Sequence, residues 1–283
     1  PTGGDGCALW LRVDDNDVNV KWFGVVGDGV TDDTAAVLAA KNEVSAGGII
    51  LFPPSATAYV ISSVDFTGKS VTITGYGATI SCTSATGAIY KTDHGNKLSV
   101  FGLSFTGTST YRAINHQSAP STSSYDEINI VDCTFDMGNG IYGIYSVGTR
   151  NAHITRCTFY NTSSGCGIYF KDSVQPAVVS CIFKGSGYVG RAVYYPGTGN
   201  GTDAGLIMRD AEILGWDVGL EVVGTDLLIL DACTIDYNTT SVVLGSQDRA
   251  HISNCYLGSL GANPALHITD DVAVGAGTYS EKI

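Results

Sequence analysis

A six-residue pattern recurs along the middle of the chain at a nearly constant spacing. Residues 130–135, 154–159 and 178–183 each begin with an apolar residue, carry cysteine in the fourth position and end in phenylalanine, and successive copies start 24 residues apart. Weaker copies continue on both sides, and the last apolar residue of each copy falls at 80, 105, 135, 159, 183, 213, 235 and 257. A fixed period of about 20 to 50 residues is typical of a solenoid or another repeat architecture. The chain is therefore expected to fold as a stack of equivalent units.

Each repeat is built from short strands. In residues 133–135, 157–159 and 233–235 the apolar residues alternate with threonine, which is the side-chain period of a half-buried strand. After a turn rich in Gly, Asn and Ser, a second short strand follows, such as residues 143–145 or 167–169. No repeat contains a helical pattern of ten residues, which excludes the helical repeat classes. The repeats predict an all-β, single-stranded parallel β-helix of about eight or more coils.

The cysteines of the repeats predict a single inward-facing ladder. Stacked coils lie about 4.8 Å apart, so equivalent residues lie above one another along the axis. The ladder comprises Cys133, Cys157, Cys181, Cys233 and Cys255, with Ala211 at the remaining rung. Because these cysteines share one strand phase, we expect buried free thiols rather than disulfides.

Composition limits the partners. Of 283 residues 36 are Gly, 15% are charged, and the formal net charge is −12. An acidic surface argues against nucleic acid as a partner and mildly disfavours a strongly anionic polymer. No apolar run is long enough to predict insertion into a membrane. No cofactor and no bound metal is predicted.

The N-terminal region, residues 1–62, differs from residues 63–283, which form the predicted β-helix. Residues 32–45 predict a helix that covers the open end of the solenoid, with Thr31 or Asp32 as N-cap. Val37, Ala40 and Val44 lie on one face of this helix, and two glycines end it. The aspartates at 28, 32 and 33 are interpreted as turn and cap residues rather than as a metal site.

The same region carries a family resemblance. Residues 23–36 read Phe-Gly-Val-Val-Gly-Asp-Gly-Val-Thr-Asp-Asp-Thr-Ala-Ala, and Gly-Gly, Pro-Pro and Tyr-Val-Ile-Ser follow by residue 62. This string resembles the pectate-lyase-like right-handed β-helices, a family that includes bacteriophage tailspikes and polygalacturonase-type enzymes. The resemblance implies a right-handed helix, a bacterial surface polysaccharide as partner, a homotrimer, and a location in the virion tail if the chain is phage-encoded or outside the cell otherwise. No catalytic motif of the family can be matched residue by residue.

The second strands predict a candidate binding surface. Their outward positions read Tyr90, Asn115, Tyr145, Tyr169, Tyr194, Glu221, Val243 and His267. Because aromatic faces pack on sugar C–H surfaces, Tyr145, Tyr169 and Tyr194 are predicted to form a sugar platform. Trp216, in a turn beside Asp217, and His267 are further substrate-binding candidates. The alternative is that the tyrosines only stabilise the sheet through cross-strand contacts.

Acid chemistry on a glycoside needs two carboxyl groups, about 5–5.5 Å apart for retention of configuration or about 6.5–9.5 Å for inversion. Glu221 is the first catalytic candidate, with Asp217 four residues upstream as its partner. Asp172 and Asp236 are the next candidates, the latter expected to face Asp217 from the turn one coil on.

Three functions remain open from the sequence. The first is a phage tail depolymerase that binds and cleaves an O-antigen or capsule as a glycoside hydrolase. The second is a non-catalytic glycan-binding or structural virion rod, which fold alone does not exclude. The third is a secreted uronan lyase, for which Lys171, Arg191 or His267 would neutralise the uronate or act as the base.

Overall fold

The computed structural model describes residues 17–107, 111–118, 127–136, 138, 142–161, 164–197, 203–246 and 249–269. These residues form 28 strands, one α-helix and one 3-10 helix. The strands, numbered along the chain, assemble into three sheets that we name A, B and C, in the order in which each coil visits them.

Sheet A contains β1 (Asp17–Asn19), β2 (Ile49–Leu51), β5 (Val71–Thr74), β8 (Leu98–Phe101), β11 (Ile128–Val131), β14 (Ala152–Thr155), β17 (Ala177–Val179), β20 (Leu206–Arg209), β23 (Leu227–Asp231) and β26 (Arg249–Ser253). Sheet B contains β3 (Tyr59–Ile61), β6 (Thr79–Cys82), β9 (Ser104–Gly107), β12 (Thr134–Asp136), β15 (Thr158–Asn161), β18 (Ile182–Gly185), β21 (Glu212–Leu214), β24 (Thr234–Asn238) and β27 (Tyr256–Ser259). Sheet C contains β4 (Val64–Asp65), β7 (Ile89–Lys91), β10 (Arg112–Gln117), β13 (Tyr142–Val147), β16 (Cys166–Lys171), β19 (Arg191–Pro196), β22 (Val218–Val223), β25 (Thr240–Gly245) and β28 (Leu266–Thr269).

Every strand pairs in parallel with the equivalent strand one coil away. Phe135, for example, pairs with Phe105 on one side and Phe159 on the other. After β1, the described strands form nine successive sets of three, one from each sheet. The chain is thus a right-handed-type parallel β-solenoid, and the predicted fold class is confirmed.

The centre of the solenoid is filled by stacked aromatic rings. Phe105, Phe135, Phe159 and Phe183 form one column in sheet B, with ring centroids 5.1, 4.7 and 4.6 Å apart and ring planes within 6° of parallel. All four side chains are buried. The repeated phenylalanine at the end of the sequence pattern therefore marks the core, which is packed as a continuous stack.

The cysteine ladder lies at the corner between sheets A and B. Its thiols are free, as predicted, and each donates a long hydrogen bond to a carbonyl oxygen one coil earlier, at Sγ–O distances of 3.5–3.7 Å. Ala211 is buried at the remaining rung. Cys255 is the exception to the predicted burial, since it is half-buried in the last described coil.

The residue before each ladder position adopts a left-handed backbone conformation. The φ angles lie between 52° and 56° at Asp132, Arg156, Ser180, Asp210, Ala232 and Asn254, and Gly102, at the equivalent corner one coil before Asp132, has a φ of 68°. A non-glycine residue in this region costs about 1 kcal/mol or more. Six coils carry this cost at the corner where the left-handed residue turns the chain sharply from sheet A into sheet B.

The N-terminal end is covered by α1 (Thr34–Glu43), next to the 3-10 helix Val20–Phe23. Val37, Ala40 and Val44 are buried, which confirms the predicted inner face. The N-cap is Asp33, and not Thr31 or Asp32 as predicted.

The aspartates of this region organise the turn before α1, as expected. The Asp33 carboxylate accepts hydrogen bonds from the amides of Val26 and Gly27 at 2.6 and 3.0 Å. Asp28 accepts from the amides of residues 30 and 31, and Asp32 from the amide of Thr34. The hydrogen bonds from residues 31 and 30 lower the pKa of Asp28, and those from the hydroxyl and then the amide of Thr34 lower the pKa of Asp32.

Candidate functional site

The outer face of sheet C presents two columns of side chains. In β13 the first and fourth residues, Tyr142 and Tyr145, are partly exposed, whereas Gly143 and Ile144 between them are both buried. The same burial order recurs in β16 and β22, and the strand pairing passes over the second position of each strand. This local break in alternation turns two positions per strand toward the same outer face.

The fourth positions form the column that the sequence predicted. Strand register aligns Tyr90, Asn115, Tyr145, Tyr169, Tyr194, Glu221, Val243 and His267. Within it, we call Tyr145, Tyr169 and Tyr194 the tyrosine ladder. All three are partly exposed, whereas Asn115 is buried and donates to the carbonyl oxygen of Thr86.

The rings of the tyrosine ladder pack against one another. Tyr145 and Tyr169 are stacked, with centroids 4.7 Å apart and ring planes 4° from parallel. Tyr169 and Tyr194 meet edge to face at 5.6 Å and 74°. Because the stacked faces are directed along the solenoid axis, Tyr145 and Tyr169 offer solvent their edges rather than the broad faces on which the predicted platform relied. The ladder is thus better suited to polar contacts than to stacking on a sugar.

The first positions form a flanking column of Arg112, Tyr142, Cys166 and Arg191, continued by Val218 and Thr240. The Arg112 guanidinium lies 4.0 Å from the ring centroid of Tyr145 and 5.3 Å from that of Tyr142. Burial raises the pKa of the Cys166 thiol to about 12, which makes it an unreactive thiol.

Sequence reasoning missed the flanking column because it assumed strict alternation. The available signal was the small residue at the second position of these strands, Gly143, Gly167 and Gly219. A Cβ atom at Gly143 or Gly167 would lie 2.8 or 2.6 Å from a backbone oxygen of the next coil. These glycines let the backbone turn a second position outward.

Glu221 lies at the upper end of the tyrosine ladder. Its carboxylate pairs with the guanidinium of Arg191, which also lies 4.6 Å from the ring centroid of Tyr194. The Glu221 side chain is 17% exposed and that of Arg191 44% exposed. Glu221 is therefore a partly buried carboxylate that is fixed by its ion pair with Arg191 and still borders solvent.

The phenol groups of this face are hydrogen-bond donors. Burial is the main cause that raises the pKa of Tyr142, Tyr169 and Tyr194 above the usual value. Phenols that resist ionisation keep their O–H groups as hydrogen-bond donors at neutral pH. Together with two guanidinium groups, they make this face rich in donors.

The other predicted carboxylates are spread around the solenoid. Asp217 is exposed in the corner before β22, and four residues of extended chain separate its Cα atom from that of Glu221 by up to about 13 Å. Asp172 follows the end of β16, two coils from Glu221. Asp236 lies within β24 of sheet B, paired with Leu214. The expectation that Asp236 faces Asp217 from a turn is therefore wrong.

Two of the predicted substrate-binding residues lie away from the ladder. Trp216 is completely buried in the core, so its expected outward orientation is wrong. His267 is exposed in β28, three coils beyond Tyr194 in the same column. Of the predicted binding residues, the structure brings together Tyr145, Tyr169 and Tyr194, with Glu221 adjacent.

Among the described residues, no group of three or more His, Cys, Asp or Glu side chains is arranged to hold a metal ion. Within the same residues, no helix combines the length and apolarity needed to cross a membrane.

No protein-family model and no curated protein sequence matches the chain. Several solved structures do match the chain. Tailspike protein 2 of Escherichia coli O157:H7 bacteriophage CAB120, in its full-length form, has a TM-score of 0.56 at 14% identity, over 93% of this chain and 42% of its own length. The enzymatically active domain of tailspike protein 2 from bacteriophage CBA120 has a TM-score of 0.55 at 15% identity, over 93% of this chain and 47% of that one.

The ORF18 protein of Geobacillus virus E2 has a TM-score of 0.52 at 16% identity, over 89% of this chain and 62% of its own. This chain thus spans less than two thirds of each of these three structures. At these identities the similarity concerns the fold. The chain shares the parallel β-helix architecture of phage tailspikes.

Proposed function

We propose that this chain is the β-helical body of a tailspike-type protein that binds a bacterial surface polysaccharide on the outer face of sheet C. The observation that carries the proposal is the continuous surface formed by the tyrosine ladder, Arg112, Arg191 and Glu221. Phenol hydroxyls, guanidinium groups and a carboxylate supply the donors and acceptors that orient a polyhydroxylated chain. Two of the fold neighbours are named as tailspikes, which supports the same function.

The ladder also suggests how such a polymer would lie. Equivalent residues of successive coils are about 4.8 Å apart, so Tyr145 to Glu221 covers about 14 Å along the axis. A glycan running parallel to the axis would meet the same type of contact at each coil. Binding of a polymer rather than of a single sugar is the function that this repetition favours.

The test is a binding screen against purified bacterial surface polysaccharides, O-antigens and capsules, with the wild type and two variants. Tyr194→Ala removes a ladder residue, whereas Tyr160→Ala removes a 41% exposed tyrosine from the outer face of sheet B. We expect Tyr194→Ala to weaken binding at least threefold and Tyr160→Ala to leave it unchanged. Equal binding by both variants would contradict the proposed surface, and failure of every polysaccharide to bind would contradict the proposed function.

A second candidate is cleavage of the bound glycan by hydrolysis, with Glu221 in the catalytic role. The placement that favours it is a partly buried carboxylate bordering both solvent and Tyr194. Asp217 would have to lean toward Glu221 to reach the spacing of an inverting pair. Release of reducing ends from a bound polysaccharide would support hydrolysis, and a rise in absorbance from an unsaturated uronate would support the lyase alternative instead.

The lyase alternative has less support in the placement of its candidate residues. Arg191 is engaged with Glu221, Lys171 ends β16, and His267 lies in the last described coil. Tyrosines whose pKa is raised are also poor bases at neutral pH.

Homotrimeric assembly and a place in the virion tail belong to the same proposal. Mass measurement by light scattering at tens of micromolar is the direct check. A trimeric mass supports assembly of the tailspike kind, and a monomeric mass contradicts it.

A further inference from the structure

In the part of the chain that the structure describes, the arginine at the lower end of the candidate face has no ionic partner. Arg156 pairs with Asp132 and Arg191 with Glu221, whereas no ion pair involving Arg112 occurs among the described residues. The Nε atom of Arg112 is buried and has no hydrogen-bond partner among these residues. The residue as a whole is only partly buried, so an anion from solvent would approach the guanidinium at its other nitrogen atoms rather than at Nε.

The position of the guanidinium is fixed by aromatic rings. It lies 4.0 Å from the ring centroid of Tyr145 and 5.3 Å from that of Tyr142, and these two rings meet edge to face at 4.9 Å. A guanidinium held on an aromatic surface loses little further freedom when it binds a ligand. Its planar donor fork matches the two oxygens of a carboxylate.

The neighbouring Tyr142 adds a hydrogen-bond donor. Its hydroxyl is protonated at neutral pH, and burial raises its pKa further. Strand register places two acidic residues in the column beside Arg112, Asp65 two coils away on one side and Glu221 four coils away on the other, about 10 and 19 Å along the axis. Both separations exceed the Debye length of about 8 Å at physiological ionic strength, so neither carboxylate forms an ion pair with Arg112.

We propose that the glycan bound on this face is acidic, and that a carboxylate-bearing sugar places its carboxylate on Arg112. This inference rests on the proposed function, because it names the class of glycan that the same surface takes. The net charge of −12 made an anionic polymer a disfavoured substrate from composition alone. Salt screens the charges that lie on the other faces. The charge at the Arg112 site, and not the net charge of the protein, therefore determines which glycan binds there.

The test uses oligosaccharides of galacturonate, guluronate, glucuronate-containing hyaluronan and polysialate, each beside its carboxyl-reduced form, with neutral dextran and a phosphodiester-linked glycan as further probes. We expect at least one acidic member to bind, and its affinity to fall tenfold or more when the carboxyl group is reduced. Arg112→Gln should cause a similar tenfold loss for the acidic form and no loss for the reduced form. Arg112→Lys keeps the positive charge but lacks the planar pair of N–H donors, so it should retain only part of the wild-type affinity for the acidic form.

Arg156→Gln is the matched control, because it removes an arginine from the corner between sheets A and B, and it should leave binding unchanged. Thermal unfolding of each variant establishes that the fold is retained. If glycans bind through the tyrosine ladder with equal affinity before and after carboxyl reduction, or if Arg112→Gln and Arg112→Lys bind like the wild type, this inference is wrong while the proposed function stands. Preference for the phosphodiester-linked glycan would also overturn it. If none of these glycans and no bacterial surface polysaccharide binds, the proposed function itself fails.

Discussion

Two aromatic columns run along this solenoid, one on the inner face of sheet B and one on the outer face of sheet C. The inner column consists of four phenylalanines whose successive rings remain within 6° of parallel. The outer column begins in the same way, with Tyr145 stacked on Tyr169, but Tyr194 turns edge-on and Glu221 replaces the aromatic residue one coil later. Parallel stacking thus occurs both in the core and at the surface, but at the surface it ends after one pair of rings.

The difference between the two columns shows where the fold restricts the residue type and where it does not. The four side chains of the inner column are completely buried and closely packed, so any change in their shape affects the coils on both sides. The outer column changes residue type along the axis because its side chains border solvent, and Glu221 follows the tyrosines within it. Arg112 and Arg191 of the flanking column lie beside these tyrosines. Continuous parallel stacking of rings is therefore characteristic of the core, whereas the end of the outer stack after Tyr169 coincides with the candidate site.

The largest effect is expected from removing an inner ring. Phe159→Ala should lower the free energy of unfolding by about 3–5 kcal/mol, because it leaves a cavity between two stacked phenylalanines. Tyr169→Ala should lower it by only about 1 kcal/mol, since the cavity opens to solvent. Chemical denaturation of the two variants measures the difference, and equal losses would mean that the outer column is as structural as the inner one.

The next effect concerns Glu221. For a polysaccharide that the protein cleaves, Glu221→Gln should reduce the cleavage rate at least about 100-fold, because the change keeps size and removes the ionisable group. Binding and thermal stability should change little, since Arg191 remains 44% exposed to solvent. Release of reducing ends under single-turnover conditions is the measurement. Undiminished cleavage would exclude Glu221 as the catalytic residue and leave Asp172, which follows the end of β16 in sheet C, as the next candidate.

A smaller effect distinguishes the edges of the ladder from its faces. If the ladder binds through its hydroxyl groups, Tyr169→Phe and Tyr169→Ala should each weaken glycan binding by about 1 kcal/mol, the usual contribution of one hydrogen bond. Calorimetric titration of both variants decides the matter. Binding that is kept in Tyr169→Phe but lost in Tyr169→Ala would show that the sugar uses the ring itself, contrary to the stacked geometry.

The smallest effect is a dependence of stability on alkaline pH. Burial raises the pKa of Tyr169 in the folded state, so above the ordinary value of about 10 the unfolded state loses its proton first. The stability that this group contributes is complete below about pH 10 and is lost as the pH rises toward the folded-state pKa. The midpoint of thermal unfolding of the wild type should fall between pH 9.5 and 11 more steeply than that of Tyr169→Phe. Parallel curves would contradict the burial of this phenol.

The sequence contained nearly all of the information on the core. Phe135, Phe159 and Cys157 recur because stacking requires the same residue at the same rung, and a period is visible without a structure. The outward positions of Tyr145, Tyr169 and Glu221 followed from the alternation of strand residues. Arg112 and Tyr142 could not be placed in this way, since a local break in alternation at the buried second position turns them outward. Trp216 was misplaced for a related reason: a turn residue beside an aspartate resembles a surface residue until the corner around it is known.

The most direct test of the account is a crystal structure of the protein with a bound oligosaccharide from the surface polysaccharide that it recognises. The account predicts sugar density along the outer face of sheet C, running parallel to the solenoid axis from Arg112 past the tyrosine ladder to Glu221. Sugar density on the outer face of sheet A or sheet B, with the outer face of sheet C empty, would contradict it.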